Sequence, residues 1–301
     1  MPAATTPFRN ESALVKISLQ PAGQRLDLQF TALIPFPQSA VWQAITEPDL
    51  VSQWMPVRIV DMDLRPGGIG HLQNPDGSIG LSEITRYEPP RAFGFRGYAN
   101  GQTPGERDNL VRFDLDSDGQ ETQLTGAQTI DSRPVAPIVA CGWEACLAAL
   151  EAVLGGKPVR MAPPTVAAFE HFLHELGLDQ PTLEPIPGGA RIRFERQTLM
   201  QPLAKVWSVL TGGLDLRVGD FAPPLFTGAN ASGRIAIIEP PAELEYLLSN
   251  GGRVRWRLHE HFGSTRFDLT IAVPRTVDID QTAAVWRDHL EAVVTRIIAA
   301  D

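Results

Sequence analysis

Residues 28–46 read LQFTALIPFPQSAVWQAIT, and residues 193–211 read RFERQTLMQPLAKVWSVLT. When the second stretch is placed under the first at a constant offset of 165, Pro37 meets Pro202, the pair Val-Trp recurs, and both stretches end in threonine. Each copy predicts a strand and then a short helix beginning just after the proline, a position that proline tolerates well. This repeat decides the fold, because both copies must build the same structure.

Further matches follow in the same order along the chain. Glu88-Pro-Pro90 corresponds to Glu239-Pro-Pro241 at an offset of 151. The alternating strand residues Val111, Phe113 and Leu115 correspond to Val254, Trp256 and Leu258 at an offset of 143. Trp143 corresponds to Trp286 at the same offset. The offset falls only where loops or a hairpin could be deleted. The chain is therefore interpreted as a tandem duplication whose second copy is trimmed.

A long amphipathic helix closes each copy. Its apolar residues follow the spacing +4, +3, +4 along one face. They are Trp143, Leu147, Leu150 and Leu154 in the first copy and Trp286, Leu290, Val293 and Ile297 in the second. Several short strands, separated by turn signals such as Asp76-Gly77, precede this helix. Antiparallel strands crossed by one long terminal helix predict an α+β fold in which the helix lies on the sheet.

The duplication divides the chain into a first domain at residues 13–156 and a trimmed second domain at residues 181–301. The linker, residues 157–180, contains a predicted helix from about Thr165 to Leu176 whose large apolar side chains share one face. We expect this helix to pack against a domain, and the two domains to pack on each other, because exposed apolar faces favour association.

Composition and charge exclude several classes of function. With 35 acidic and 26 basic residues the chain carries a formal charge of −9, so a nucleic-acid partner is not expected. The chain contains no run of 18 apolar residues and no N-terminal hydrophobic signal core, which predicts no transmembrane segment and a cytoplasmic location. The two cysteines, Cys141 and Cys146, have a spacing that does not suit a disulfide and are expected to be reduced.

An ordered set of residues extends over about 25–155 of the chain. It comprises Pro37, Val41-Trp42, Thr46, Leu50, Trp54, Arg65-Pro-Gly-Gly68, Asp76-Gly77, Glu88-Pro-Pro90, Gly142-Trp143, Leu147 and Leu150. This set resembles the START-like superfamily, also called SRPBCC, in its branch related to the activator of Hsp90 ATPase and to calicheamicin-resistance proteins. The resemblance implies a helix-grip fold, in which a curved antiparallel sheet wraps around the C-terminal helix and encloses an apolar cavity. The second copy has no match to Trp54 or to the Arg-Pro-Gly-Gly turn, and we expect it to lack a ligand-sized cavity.

The candidate ligand-binding residues lie in elements that should face this cavity. They are Trp54, Glu83, Phe93, Phe95, Tyr98, Arg112, Phe113, Trp143 and Leu147. Aromatic walls with a few polar groups are typical of small-molecule sites, although core packing alone would also explain the aromatic residues. Glu83, Arg112 and Tyr98 are the polar candidates. Glu83 and Arg112 could equally form an exposed cross-strand pair.

Three functions fit these observations. The favoured one is binding of an apolar small molecule (a lipid, a polyketide or another hydrophobic metabolite) in the first domain, without metal, redox or cofactor chemistry. The second is a cyclase or dehydratase that uses a pocket Glu, Arg or Tyr. The third is a co-chaperone-like protein with a filled cavity, an exposed apolar patch and a protein partner. The chain contains no GxSxG, Walker or CxxC motif, so no catalytic residue or metal ligand is assigned.

Overall fold

The computed structural model describes residues 14–98, 109–228, 233–261 and 264–300. The chain divides into two compact units, Met1–Phe172 and Leu173–Asp301, called here the first and the second domain. Each contains one antiparallel sheet and one long closing helix. The α+β class expected from the repeat and the two helix-grip domains expected from the family resemblance are thereby confirmed.

The first domain is an eight-stranded antiparallel sheet crossed by a long helix. Its elements are β1 (Leu14–Ala22), β2 (Arg25–Ile34), α1 (Gln38–Thr46), α2 (Pro48–Trp54), β3 (Arg58–Met62), β4 (Ile69–Gln73), β5 (Ile79–Glu88), β6 (Ala92–Tyr98), β7 (Asn109–Ser117), β8 (Thr122–Ile130) and α3 (Ala136–Leu154). The strand order is β1-β2-β8-β7-β6-β5-β4-β3, so neighbours in sequence pair as hairpins except where β2 lies beside β8.

The closing helix α3 packs on the sheet through Trp143. The centroid of its ring lies 4.8 Å from that of Phe30 on β2 and 5.5 Å from that of Phe113 on β7. Leu147 and Leu150, which follow on the same face of the helix, are fully buried. These positions are the ones that the helical spacing predicted, so the register of α3 is confirmed.

The stretch Arg133–Leu154, which includes α3, is long and apolar enough to cross a membrane. Core helices of soluble proteins have the same length and composition. In the first domain this stretch supplies core residues, among them the buried Trp143 and Leu147. Its apolar character is accounted for by packing on the sheet.

Helix α4 (Val166–Glu175) follows within the predicted linker. The hydroxyl of Thr165 accepts a hydrogen bond from the backbone N–H of Ala168 at 3.1 Å, as a helix-capping residue does. Phe169, Phe172 and Leu173 are buried. The helix, its cap and its apolar face are therefore confirmed.

The second domain is a six-stranded antiparallel sheet with its own closing helix. Its elements are β9 (Thr182–Ile186), β10 (Gly189–Thr198), α5 (Leu203–Thr211), α6 (Pro224–Thr227), β11 (Arg234–Glu239), β12 (Glu243–Leu247), β13 (Arg253–His261), β14 (Ser264–Pro274) and α7 (Ile279–Ile298). The strand order is β11-β12-β13-β14-β10-β9. The Asp278 side chain caps α7 by accepting a hydrogen bond from the Gln281 N–H at 3.0 Å, and Trp286 and Leu290 are buried on its inner face.

Strand pairing corrects the alignment of the two copies at one point. The equivalent cross-strand rows are Phe30–Gly126–Phe113 in the first domain and Phe194–Leu269–Trp256 in the second. Phe30 therefore corresponds to Phe194, at an offset of 164. A shift of one residue would turn every side chain of a strand to the opposite face of the sheet. The offset of 165 is thus wrong for this strand.

The second domain also contains a counterpart of the Arg-Pro-Gly-Gly turn, contrary to the prediction. The backbone N–H and C=O of Ile84 both bond to the turn at residues 65–68, at 2.8 Å each. The same two groups of Ile235 bond to residues 217–220, at 2.8 and 2.9 Å. The second copy of the turn reads Arg-Val-Gly-Asp, and the loss of its proline and second glycine hid it from the sequence comparison.

The second domain is shorter than the first in the described residues 212–228. No helix equivalent to α2 and no strand equivalent to β3 lies between α5 and this turn. The strand equivalent to β4 is reduced to a single bridge between Phe221 and Arg234. The one-turn helix α6 follows that bridge, where the first domain has the outer part of the β4–β5 hairpin.

Candidate functional site

The first domain contains a small apolar cavity between α2 and the inner face of the sheet. Its free volume is about 30 Å³, enough for about one or two water molecules. The residues that line it are Ile45, Val51, Trp54, Met55, Val57, Ile59, Met62, Leu72, Ser82, Phe93, Phe95 and Phe113. The cavity lies where the resemblance implied a ligand site, but it is much smaller than the roughly 300–1,000 Å³ of typical ligand pockets.

Two side-chain hydrogen bonds hold α2 over the cavity. The indole N–H of Trp54, a residue only 1% exposed, donates to the carbonyl oxygen of Ala44 on α1 at 2.8 Å. The Ser52 hydroxyl accepts a hydrogen bond from the backbone N–H of Ile59, on β3, at 2.8 Å. The helix that covers the cavity is therefore fixed to the elements on both of its sides.

Aromatic residues on adjacent strands form the wall opposite α2. Phe93 on β6 pairs directly with Phe113 on β7, so the two rings share the inner face. The ring of Phe95 follows two residues along β6, with its centroid 6.0 Å from that of Phe93. With Trp54, these are four of the nine residues that the sequence suggested, and the structure brings all four to one cavity.

Ser82 supplies the polar atom of the cavity wall. Its side chain is buried, and its hydroxyl donates to the carbonyl oxygen of Gly70 at 3.5 Å, the outer limit of a hydrogen bond. A Cβ at Gly70 would lie only 2.8 Å from this hydroxyl oxygen. The glycine therefore leaves the Ser82 hydroxyl room to turn toward the cavity.

Two of the polar candidates lie on the other face of the sheet. Glu83 follows the inward Ser82 on β5 and so points outward, opposite Ile69 and Arg96. Arg112 lies between two inward residues of β7, and its guanidinium is paired with the carboxylate of Asp27. Glu83 and Arg112 therefore do not line the cavity. They are not a cross-strand pair either, because β6 separates their strands.

The remaining candidates are placed elsewhere. Tyr98 ends β6, and its side chain lies outside the described residues. Trp143 and Leu147 are core residues beneath the sheet that are not part of the cavity lining. The indole N–H of Trp143 donates to the side-chain oxygen of Gln128 at 2.6 Å, which satisfies its polar group within the core.

Sequence reasoning missed the residues at the mouth and floor of the cavity. These are Met55, Val57, Ile59, Met62, Leu72 and Ser82, and two lining residues of the helices, Ile45 and Val51, were also missed. A usable signal was present for Ser82, because β5 alternates and Ser82 shares its inward parity with the buried Ile84. The mouth residues carried no comparable signal, since the irregular stretch from α2 to β4 has no long periodic pattern.

The corresponding space in the second domain is filled by Phe226 of α6. Phe226 is fully buried, and its ring packs edge-on against Trp256 with centroids 5.6 Å apart. The Tyr246 hydroxyl and the Trp256 indole N–H both donate to the Phe226 carbonyl oxygen, at 3.0 and 3.1 Å. By strand register, Tyr246 and Trp256 stand where the first domain has Phe95 and Phe113. Two side chains that replace cavity-lining phenylalanines thus hold α6 in place.

Comparisons with known proteins bear on the first domain. Residues 35–155 match the family model described as Activator of Hsp90 ATPase homolog 1-like protein. A search of curated proteins gave no match.

Among solved structures, the chain is similar to CalU16 from Micromonospora echinospora, with 24% identity, a TM-score of 0.38, and coverage of 46% of this chain and 83% of that one. It is also similar to a protein from Mesorhizobium loti, with 22% identity, a TM-score of 0.38, and coverage of 43% and 97%. DynU16, from the dynemicin biosynthetic locus, is 15% identical with a TM-score of 0.41, and the match covers 91% of this chain and 96% of that one.

The family match lies within the first domain and includes α1, α2, the aromatic strands and the closing helix. The helix-grip architecture described above agrees with it. Within the first domain, residues 35–155 are therefore similar to the Activator of Hsp90 ATPase homolog 1-like family, and the fold there is a helix-grip fold.

Proposed function

We propose that the first domain binds an apolar small molecule in the cavity beneath α2. The observation that carries this proposal is the chemistry of the wall, which is aliphatic, aromatic or thioether at every position except Ser82. Such a wall favours an apolar ligand, and the loosely bonded Ser82 hydroxyl offers it one hydrogen bond.

A ligand must widen the cavity as it enters. Met55, Val57, Met62 and Leu72 are half-buried, so the cavity reaches the surface between α2 and the β3–β4 hairpin. Methionine side chains are unbranched and adapt to different shapes at little cost. We infer that the mouth opens by movement of these side chains, while the hydrogen bonds of Trp54 and Ser52 keep α2 in place.

The cavity lining favours binding over acid–base catalysis. Within the described part of the chain, no Asp, Glu, His, Lys or Arg is among the lining residues. Glu83 and Arg112, two of the three groups suggested for a cyclase or dehydratase mechanism, point to the opposite face, and the side chain of the third, Tyr98, lies outside the described residues. The described lining therefore supports binding better than a cyclase or dehydratase reaction.

The test is titration with the neutral fluorescent probe N-phenyl-1-naphthylamine. Leu72→Phe, at the mouth, is expected to weaken probe binding by about tenfold by occupying free volume. Leu81→Phe is the matched control, because Leu81 is 46% exposed on the outer face of the neighbouring strand. Equal binding by the wild type and Leu72→Phe would reject the cavity as the binding site.

A second candidate function has one specific observation in its favour. The outer face of the first sheet carries the exposed side chains of Ile69, Ile79 and Leu81, each 43% to 48% exposed. Ile69 and Leu81 lie on paired strands, two residues out of direct register. Together with the family match, this patch supports contact with an Hsp90-type ATPase. An Hsp90 ATPase rate that is unchanged by the protein would reject this function.

A further inference from the structure

The outer face of the second sheet, which points away from α7, carries a groove rich in arginine. Its volume is about 470 Å³, within the range of small-molecule sites. The lining residues are Glu184, Arg191, Arg193, Glu245, Arg253, Arg255, Arg257, Asp268, Thr270 and Ala272. The lining thus holds five arginines and three carboxylates, and two more carboxylates, Glu195 and Glu243, pair with these arginines from beside the groove.

Strand register explains how the groove forms. β14 runs between β13 and β10, and its outward residues at the centre are the small Thr270 and Ala272. The two cross-strand rows over this floor are Arg253–Ala272–Arg191 and Arg255–Thr270–Arg193. Adjacent strands lie about 4.8 Å apart, so each row places two arginines about 10 Å apart on either side of a small residue. The long arginine side chains of β13 and β10 stand on either side of the small residues Thr270 and Ala272, so a groove runs along β14.

This arginine cluster is specific to the second copy. By strand register, the five arginine positions correspond to Asp27, Gln29, Leu110, Arg112 and Asp114 of the first domain. Of these five residues only Arg112 is an arginine, and its guanidinium is paired with the carboxylate of Asp27. Five basic residues at these positions are therefore not a requirement of the shared fold.

Each of the five arginines is paired with a carboxylate through one of its nitrogens, and Glu243 and Glu195 beside the groove supply the partners of Arg257 and Arg193. The Glu245 side chain, 2% exposed, lies 2.9 Å from Nη1 of Arg253 and 2.7 Å from Nε of Arg255. Glu184 lies 2.7 Å from Nη1 of Arg191. A guanidinium has five N–H donors in a planar fork, so a group held at one nitrogen keeps another edge for a second oxyanion.

We propose that this groove binds a compact multivalent oxyanion bearing phosphate or carboxylate groups. The arginines on β13 and β10 would grip it from both sides, and the Thr270 hydroxyl lies on the floor between them. Bidentate contacts from arginine to phosphate or carboxylate are charge-assisted and directional. The groove has the volume of a small-molecule site, and the net negative charge of the chain repels long polyanions, so a small anion fits better than a nucleic acid.

The test is isothermal titration calorimetry of the full chain with inorganic pyrophosphate and, separately, with citrate, at low ionic strength. The variant is the double substitution Arg191→Gln/Arg193→Gln, which leaves both arginine contacts of the buried Glu245 intact. The matched control is Arg287→Gln/Arg296→Gln, which makes the same change of charge on α7. Circular dichroism melting of both variants verifies that the fold is retained.

Binding of at least one anion that weakens by about tenfold or more in the groove variant, and by less than about twofold in the control, would support the proposal. The anion that binds more tightly shows which group the groove prefers: phosphate if it is pyrophosphate, carboxylate if it is citrate. The proposal is overturned if neither anion binds, or if both double variants weaken binding equally. Groove-dependent binding of a single-stranded oligonucleotide without binding of either small anion would also overturn it.

Discussion

The hydroxyl of Thr265 donates a 2.7 Å hydrogen bond to the carbonyl oxygen of Gln201. Thr122 makes the equivalent bond to the carbonyl oxygen of Phe36, also at 2.7 Å. Thr122 is the first residue of β8 and Thr265 the second of β14, and both carbonyls lie just before the proline that precedes a short helix. The junction between strand and helix is therefore held in the same way in both domains.

The two junctions differ by one residue. Thr122 pairs with Ile34 in the sheet, whereas Thr265 pairs with Thr198. One residue lies between Ile34 and the bonded carbonyl in the first domain, and two lie between Thr198 and the bonded carbonyl in the second. The second domain accommodates the extra residue at Met200, which has φ 55 and is 69% exposed. This insertion is what changes the offset from 164 in the strand to 165 in the helix.

Substitutions at Met200 should follow the demands of this backbone conformation. A left-handed conformation costs an L-residue about 1–2 kcal/mol, and glycine adopts it without that penalty but loses more entropy on folding. Met200→Gly is therefore expected to preserve or slightly raise the free energy of unfolding, whereas the β-branched Met200→Val should lower it by about 1 kcal/mol or more. Denaturant midpoints measure both, with Met161→Val as an exposed control. If Met200→Val left the free energy of unfolding unchanged, the left-handed backbone conformation of residue 200 would be contradicted.

The closing helices should each depend on one tryptophan. Trp143 and Trp286 are 6% and 1% exposed and are the largest buried side chains of α3 and α7. Replacing either by alanine should destabilise its domain by about 3–5 kcal/mol, because a large buried side chain is removed and a cavity remains. Urea denaturation followed by circular dichroism tests this. Val285→Ala, next to Trp286 but 38% exposed, should have a far smaller effect.

The parts of the fold that the sequence predicted are those with strong local periodicity. Trp143 and Trp286 occupy equivalent places because the +4, +3, +4 pattern admits a single helical face. Phe93, Phe95 and Phe113 reach the cavity because alternation along β6 and β7 fixes their side of the sheet.

The features that the sequence did not predict depend on one-residue shifts between the two domains and on pairing between strands that are distant in the sequence. The offset of 165 came from the helix match at Pro202 and was extended into the preceding strand, where Met200 had changed it. Alternation also carried a signal against Glu83 and Arg112 as cavity residues, because Arg112 lies between the inward Val111 and Phe113 and Glu83 follows the inward Ser82. The filling of the second cavity by Phe226 depends on where a short connection folds back, which local pattern does not specify.

Protonation of His289 should destabilise the second domain. Burial lowers the pKa of His289, and a hydrogen bond with the Leu225 carbonyl oxygen, at 3.1 Å, opposes that shift more weakly. The unfolded chain, with a histidine pKa near 6.5, then takes up a proton more readily than the folded domain. The stability contributed by neutral His289 is therefore present above about pH 6.5 and is lost as the pH falls below it.

Denaturant midpoints at pH 7.5 and 5.5 measure this loss. His289→Gln keeps a donor for Leu225 and should reduce the difference between the two midpoints. His71→Gln, on β4 of the first domain, should not reduce it. An unchanged difference in His289→Gln would show that another group causes the acid sensitivity.

The two cysteines should be unreactive in the folded protein. Burial raises the pKa of Cys141 to about 12 and that of Cys146 to about 11. The thiolate is the reactive form, so at pH 8 both should react with Ellman's reagent far more slowly than in the unfolded chain. Two thiols per chain should titrate after denaturation. Fast reaction of the native protein would show that α3 does not protect them.

Removing the Phe226 side chain should open a cavity in the second domain. Phe226→Ala is expected to cost about 3–5 kcal/mol, as for other buried phenylalanines, and to leave a space bounded by Trp256. Engineered apolar cavities of this kind bind small aromatic molecules. In a Leu72→Phe background, which narrows the first cavity, Phe226→Ala should therefore gain binding of N-phenyl-1-naphthylamine. Phe221→Ala, on an exposed residue, should not. A folded Phe226→Ala protein without added probe binding would show that the sheet and α7 close over the space, and that the difference between the two domains does not depend on this side chain.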